Sequence, residues 1–267
     1  MRACRQARPA ARAAGVWLLV AAMAAGAWLV PRIAQPPQYH RFADPYVCFG
    51  TPHCLDIGSN LLFLLAGAAG LRYLGVTAAS RAFIAPAEAW PYRVLFLAVF
   101  LVGLGSGYYH LAPDNQRLVW DRAPLALALM AWLGANVCER ASLKAGLRLL
   151  PLLLIVGPAS VGYWAWSEAR GSGDLRPYLL VQACAILVVP LLLCLYAPRY
   201  TGDRDVLAIT GCYVLALVCD VLDHQIAALT GLVSGHTLKH VIAALAVYGV
   251  VLRLKRRRIV EEGTAAA

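Results

Sequence analysis

Long apolar runs recur along the chain, and they constrain its fold more than any other feature. About 20 consecutive apolar residues are needed to cross a bilayer as a helix. Eight runs of roughly this length alternate with short segments that carry most of the charges. The sequence therefore predicts an all-α protein, a polytopic bundle of transmembrane helices. The runs are residues 14–33, 57–75, 94–111, 119–138, 148–166, 178–197, 205–223 and 236–253.

The composition agrees with this prediction and excludes other classes of protein. Hydrophobic residues make up 61% of the 267 residues, against about 45–50% in soluble domains. Charged residues make up 14%, where a soluble domain has about 25%. These values exclude a soluble enzyme and a disordered chain. The net charge of +10 does not indicate nucleic-acid binding, because no aromatic and basic surface accompanies it.

The lysines and arginines predict how the helices are oriented. If the N-terminus is cytoplasmic and all eight runs cross the membrane, 17 of the 24 lysines and arginines lie on the cytoplasmic side. Such a bias is typical of cytoplasmic segments, so we expect both termini to be inside. The Ala- and Arg-rich composition indicates a bacterial inner membrane. The basic clusters at the chain ends also suit anionic lipid headgroups.

A single membrane domain accounts for most of the chain, because no joining segment is long enough to fold separately. We divide the chain into an N-terminal segment with an extra helix (1–35), a seven-helix domain (36–253) and a basic cytoplasmic tail (254–267). Run 14–33 also has the basic start and small residues of a signal peptide. We predict a retained helix, because apolar residues continue to Val30, with cleavage as the alternative.

Two of the eight cysteines share a polar loop, in the sequence CFGTPHC. If this loop lies on the oxidising side of the membrane, Cys48 and Cys54 could form a disulfide. Most of the other cysteines lie in or beside apolar runs, where a thiol is usually a small packing residue.

Polar and ionisable residues inside the apolar runs are the strongest functional signal, because their burial in a membrane is costly. In the predicted orientation, all of them lie near the non-cytoplasmic ends of their helices. The orientation rests on lysine and arginine alone, so this convergence is an independent observation. The residues are Ser106, His110, Asp121, Asp220, Asp223, His224, His236 and His240.

Three histidines of this group predict a metal site. His236 and His240 are four residues apart, so on a helix they share one face, one turn apart. That spacing alone equally suits two histidines that only form hydrogen bonds. His110 lies at the same depth and completes a set of three nitrogens. Three nitrogens leave the fourth tetrahedral position of a zinc ion for water, as in catalytic zinc sites.

Two further residues fit chemistry at this site. Ser106 precedes His110 by four residues, so both face the same direction. Asp121 follows on the next helix, where its carboxylate can orient water and accept its proton. Asp121 could instead form a salt bridge with Arg122 or cap its helix. Ser106 could instead be a packing residue within GLGSG.

Three more polar residues lie beside the predicted site. Asp220, Asp223 and His224 could orient a zinc-binding histidine through hydrogen bonds. The alternative is a polar helix end at the membrane interface.

The motifs GSGYYH (105–110), WDRAP (120–124) and SGHTLKH (234–240) hold the spacings Ser-x3-His, His-x10-Asp and His-x3-His at once. Together with the pair Ser59 and Asn60, which opens an apolar run, they resemble the alkaline ceramidases. These belong to a wider superfamily of seven-helix membrane metal hydrolases that includes the adiponectin-receptor-like proteins. The matching motifs span most of a seven-helix core.

The resemblance implies a role for each matching residue. His110, His236 and His240 would bind zinc. Asp121 would activate the attacking water, and Ser106 would assist near the metal or the developing oxyanion. The family hydrolyses the amide of ceramides to a sphingoid base and a fatty acid. The resemblance therefore implies an intramembrane zinc hydrolase that acts on ceramide or another N-acyl lipid.

The chain departs from the family in one segment. Eukaryotic alkaline ceramidases carry an acidic N-terminal segment associated with calcium. The corresponding stretch here has only Asp44 and Asp56 as carboxylates, which argues against calcium binding.

A membrane receptor or sensor with a structural zinc site is the main alternative function. Asp121 and Ser106 favour an enzyme, because a structural zinc site is usually closed by a fourth protein ligand. A transporter or proton path is a further alternative, although the polar groups cluster at one face. A haem protein would use His110 with His236 and would leave Asp121 without a role.

Overall fold

The computed structural model describes residues 8–76 and 82–260. Helices account for nearly all the regular structure of these residues, which confirms the all-α prediction. Single turns of 3-10 helix cover Pro37–His40 and Pro86–Glu88. The helices are α1 (Pro9–Leu29), α2 (Cys54–Ser59), α3 (Leu61–Val76), α4 (Ala89–Leu111), α5 (Asn115–Arg140), α6 (Leu143–Ala169), α7 (Arg176–Leu195), α8 (Asp203–Val221), α9 (Asp223–Thr230) and α10 (Gly235–Arg256).

Seven helical spans in the described part of the chain are long and apolar enough to cross a membrane. They are α1, the pair α2 and α3, α4 with its preceding turn, α5, α6, α7 and α10. Helices α8 and α9 meet the same criterion only as a pair, and an 80° bend separates them. The chain is therefore a multi-pass integral membrane protein, as predicted.

The bend between α8 and α9 corrects one predicted run. The sequence predicts that run 205–223 crosses the membrane outward and ends with Asp220, Asp223 and His224. Helix α8 instead ends at Val221, so Asp223 and His224 belong to the first turn of α9. The bend is held by the Asp223 carboxylate, which bonds the main chain of two other segments, as described below.

Most helices extend beyond the apolar runs, because charged and polar residues form their ends. Helix α5 begins near residue 115 instead of 119, and Asp114 caps it by accepting a hydrogen bond from the Arg117 backbone N–H (2.7 Å). The residue that caps this helix is thus Asp114, and Asp121 lies within the helix.

Helices α4 and α5 touch backbone to backbone where the predicted site residues lie. A Cβ at Gly105 would lie 1.9 Å from the carbonyl oxygen of Trp120 and 3.4 Å from the Asp121 nitrogen. Pro124 is four residues after Trp120 and has no N–H for that carbonyl, so the oxygen remains free to meet α4. The contact brings the helix that carries Ser106 against the one that carries Asp121.

A loop before α2 holds a short antiparallel hairpin, β1 (Val47–Cys48) and β2 (Thr51–Pro52). The disulfide proposed from the sequence is present and joins Cys48 to Cys54. The Asp44 carboxylate accepts hydrogen bonds from the backbone N–H groups of Leu55 (2.8 Å) and Asp56 (3.1 Å). These contacts fix the start of α2.

The opposite end of the bundle carries a buried ion cluster, which we call the basic end. Arg253 and Arg257 both pair with Glu139, and Arg253 does so at 2.8 Å. Arg257 also donates two hydrogen bonds to the Ala82 carbonyl oxygen (3.0 and 2.7 Å). Arg253 is 2% exposed and Arg257 is 9% exposed. These two arginines therefore bind a protein carboxylate inside the bundle.

The predicted boundary between the membrane domain and the tail also moves. Helix α10 continues through residue 253 to Arg256, and Leu254 is buried. Residues 254–260 therefore belong to the folded body. The remaining part of the predicted tail, 261–267, lies outside the described residues, as do residues 1–7 of the N-terminal segment.

Helix α1 lies at the periphery of the bundle, and none of its residues is buried. It is attached to the start of α7, where Arg176 donates a hydrogen bond to the Val30 carbonyl oxygen (2.7 Å). Arg176 also pairs with Asp174 (2.8 Å), and its hydrogen bonds lower the pKa of the Asp174 carboxyl. The N-terminal helix is thus fixed to the bundle by a charged contact at one end.

Candidate metal centre and cavity

Three histidine side chains from α4 and α10 meet inside the bundle, at what we call the histidine end. His110, His236 and His240 are 0%, 2% and 3% exposed. Their ring centroids are 4.7–5.3 Å apart, and Nε2 of His110 lies 3.1 Å from Nε2 of His236. One nitrogen from each ring lies within 4.8 Å of the others. This cluster could hold a metal ion.

The outer nitrogens of two of these rings are held by acceptors. Nδ1 of His236 lies 2.7 Å from the Asp220 carboxylate. Nδ1 of His240 lies 2.8 Å from the Ser59 hydroxyl oxygen and 3.2 Å from the Asp56 carbonyl oxygen. A ring that donates from Nδ1 keeps a lone pair on Nε2. Metal-binding histidines are commonly oriented in this way, so the donor set fits a metal ion.

The first turn of α10 is positioned by Asp223. Its carboxylate accepts hydrogen bonds from the backbone N–H of His236 (2.8 Å) and of Ala43 (2.9 Å). Gly235 allows this contact, because a Cβ there would lie 2.2 Å from the Cys219 carbonyl oxygen. Asp223 therefore holds the main chain of His236, and Asp220 holds its ring.

His224 takes no part in the histidine cluster. Its Nε2 lies 3.0 Å from the Arg41 carbonyl oxygen, in an exposed contact. The structure thus separates the three residues predicted to lie beside the site. Asp220 touches a ring, Asp223 touches the main chain, and His224 lies at the surface.

Three residues that support the histidines were not assigned roles from the sequence. Lys239 pairs with Asp220 at 3.1 Å, through the oxygen that also contacts His236. Asp56 is fully buried, and Ser59 follows it by one helical turn. Lys239 could have been identified from the sequence, because an ionisable residue within a membrane span is costly. Asp56 and Ser59 meet α10 only through tertiary packing, which no local pattern reveals.

A cavity of about 550 Å³ lies beside the cluster, between the helices. Its walls are mostly apolar and extend along α5 from Asp121 to Trp132, a rise of about 16 Å. Leu95 and Val250 line the end that points away from the histidines. Most of its polar lining residues lie near the histidine end of the bundle. They include Gln35, Tyr39, Ser106, Asp121, Arg122, Asp220, Lys239 and His240.

Ser106 and Asp121 both line this cavity, together with His240. Ser106 is fully buried, and its hydroxyl has no hydrogen-bond partner among the described residues. Asp121 is partly exposed, and no ion pair joins it to Arg122 among the described residues, 8–76 and 82–260. The alternatives of a cap and a salt bridge for Asp121 are therefore not realised.

Tyr39 lines the cavity from the segment that precedes α2. Removal from bulk water raises the pKa of the Tyr39 phenol, so it remains a hydrogen-bond donor at ordinary pH. The segment that carries it thus adds polar groups, Gln35 and Tyr39, to the lining of the cavity.

No protein-family model, curated protein or solved structure matches the chain. The resemblance to the alkaline ceramidases stays a prediction from the motifs.

Proposed function

We propose that the chain is a zinc-dependent hydrolase that cleaves the amide of ceramide or a related N-acyl lipid within the membrane. The products are a free fatty acid and an amine. One observation carries the proposal: a cluster of three buried histidines meets the polar end of an apolar cavity through His240, and Ser106 and Asp121 line the same cavity. The apolar part suits an acyl chain, and the polar end suits its amide.

Zinc fits this set of donors. Three histidines with one open position are typical of catalytic zinc, and hydrogen bonds from Asp220 and Ser59 orient two of the rings. When bound, zinc would polarise a carbonyl and make water a nucleophile near neutral pH. His110, His236 and His240 would hold it.

The remaining steps belong to the protein side chains. Asp121 accepts a proton from the attacking water, whose oxygen bonds to the amide carbon. The Ser106 hydroxyl has no partner among the residues that the structure describes, so it is free to donate a hydrogen bond to the oxyanion that develops there. The C–N bond then breaks, and Asp121 returns the proton to the leaving nitrogen.

The experiment compares variants of purified protein in detergent, with metal content and fatty-acid release measured on the same samples. His240→Ala should lose bound zinc and turnover together. His224→Ala is the matched control, because His224 is an exposed histidine outside the cluster. Loss of zinc from both variants, or turnover by a zinc-free His240→Ala protein, would contradict the proposal.

A second pair of variants separates chemistry from metal binding. Asp121→Asn should keep its zinc and lose turnover by roughly a hundredfold or more, the usual contribution of a general base. Asp205→Asn is the control, because Asp205 is an exposed aspartate at the other end of the bundle. Retained turnover in Asp121→Asn would remove this residue from the mechanism.

We also propose that the histidine end faces the non-cytoplasmic side of a bacterial inner membrane, with both termini in the cytoplasm. Two independent features support this orientation. The lysines and arginines favour the basic end as cytoplasmic. The Cys48–Cys54 disulfide precedes α2 at the histidine end, and disulfides persist in oxidising compartments such as the periplasm. A periplasmic reporter inserted between α6 and α7 should be active, and an inactive one would contradict the orientation.

A further inference from the structure

The polar end of the cavity holds more unpartnered hydrogen-bonding groups than the proposed hydrolysis uses. Ser106 has a role in that reaction. Nη1 of Arg122 and both amide atoms of Gln35 have no hydrogen-bond partner in the described part of the chain. Arg122 is 5% exposed and Gln35 is 6% exposed. Buried polar groups without partners are costly, so these two side chains are suited to a ligand.

Aromatic rings hold the guanidinium of Arg122 in place. Its guanidinium carbon lies 4.5 Å from the ring centroid of Trp164, and 5.1 Å from those of Tyr39 and Tyr178. Such cation–π contacts fix the plane of the guanidinium and leave the Nη1 donors without a partner among the described residues. The N–H donors at Nη1 are therefore positioned in advance for an acceptor.

Gln35 belongs to the same wall as Arg122. Its backbone N–H donates to the Glu168 carboxylate (2.5 Å), and the indole of Trp164 donates to the same oxygen (3.2 Å). Glu168 thus links Gln35 to the ring that packs against Arg122. The Gln35 amide and the Arg122 guanidinium therefore line one side of the cavity. Glu168 and Trp164 connect them.

The charges in the cavity select the kind of acceptor. Lys239 is already paired with Asp220, so Arg122 is the lining cation without an ion pair among the described residues. Asp121 lines the same cavity, and its negative charge disfavours a dianion such as a phosphate. The N–H donors at Nη1 suit the oxygens of a singly charged carboxylate.

We infer that Arg122, assisted by Gln35, binds a carboxylate in the cavity. This inference deepens the proposed function and rests on it. The carboxylate belongs either to the headgroup of an N-acyl amino acid substrate or to the released fatty acid.

Binding to purified wild-type protein tests the inference with two lipids of equal acyl length. N-lauroylglycine carries the carboxylate, and N-lauroylethanolamine is its neutral counterpart. The wild type should bind N-lauroylglycine roughly ten- to a hundredfold more tightly, as expected for hydrogen bonds to a charged group. Arg122→Gln should lose this preference, while its zinc content stays unchanged. Equal affinity of the wild type for the two lipids would overturn the inference.

Arg117→Gln is the matched control, because Arg117 lies on the same helix, is about one-third exposed and pairs with Asp114. It should keep the full preference. Any contribution of the metal to carboxylate binding is common to all three proteins and leaves their differences unaffected. An unchanged preference in Arg122→Gln, or an equal loss in Arg117→Gln, would overturn the inference.

If Arg122→Gln does not fold, binding measurements on the wild-type protein alone test the inference. N-lauroylglycine and its methyl ester are compared before and after removal of the metal by a chelator. A preference for the acid that survives metal removal supports Arg122, and one that vanishes with the metal overturns it. Laurate in the same assay distinguishes the two sources, because tight binding of laurate assigns the carboxylate to the product.

The outcome for the carboxylate is independent of the outcome for hydrolysis. A preference for N-lauroylglycine without any fatty-acid release would refute the hydrolase and keep the carboxylate site. Fatty-acid release from neutral ceramides without any preference for N-lauroylglycine would support the hydrolase and refute the carboxylate site.

Discussion

Replacing Gly105 with alanine should force helices α4 and α5 apart where the residues of the proposed site meet. The added methyl carbon would lie 1.9 Å from the carbonyl oxygen of Trp120 and 2.7 Å from its carbonyl carbon. Both atoms are backbone, so no side-chain rotation relieves the overlap. Overpacking costs about 1–3 kcal/mol, and a clash with backbone lies at the upper end. We expect Gly105→Ala to lower the free energy of unfolding by about 3 kcal/mol.

Thermal unfolding in detergent measures this effect. For a chain of this size, about 3 kcal/mol corresponds to a fall of roughly 6–12 °C in Tm. Fatty-acid release should fall as well, because the displacement moves Ser106 away from Asp121.

The matched control lies two residues further along the same helix. A Cβ at Gly107 would meet no atom within 4 Å, and alanine has a higher helix propensity than glycine. Gly107→Ala should therefore be at least as stable as the wild type. Equal Tm values for Gly105→Ala and the wild type would refute the close contact between the helices. A similar loss in both variants would show that the effect is not specific to Gly105.

Three further perturbations test other parts of the account. Glu139→Gln leaves two buried arginines unpaired, so it should cost about 3–5 kcal/mol of stability, as measured by unfolding. Asp205→Asn should be neutral in the same assay, and equal losses would contradict the buried cluster. Cys48→Ser opens the disulfide loop and should cost about 2 kcal/mol, whereas unchanged stability under oxidising conditions would contradict a native disulfide. A chelator should lower the Tm of the wild type but not that of His240→Ala, and an equal shift in both proteins would count against the metal site.

The sequence predicts the membrane spans well, because a bilayer demands long apolar segments. It locates their ends less well, since caps and buried ion pairs are polar. Helix α10 shows the reason: Arg253 closes its apolar run, yet it lies inside the protein because Glu139 neutralises it. A hydropathy profile depends on local sequence only, so it does not reveal a partner that is 114 residues away.

The histidine cluster is predictable in part, because the spacing of residues along a helix determines which face they share. His236 and His240 share a helical face by spacing alone, and helix orientation adds His110 at the same depth. Their supports are harder to predict, because Ser59 reaches His240 across 181 residues of chain. The bend after Val221 is likewise a tertiary effect, since the Asp223 carboxylate holds it through two backbone N–H groups.

The most direct test of the hydrolase is fatty-acid release by the wild-type protein alone. Metal content and folded state are measured on the same detergent sample, which is then incubated with ceramides, N-acyl amino acids and N-acyl ethanolamines. The account predicts protein that carries zinc and releases fatty acid from at least one of these lipids. No release from any of them, by protein that is folded and zinc-loaded, would contradict it and favour a receptor or sensor with a structural zinc site.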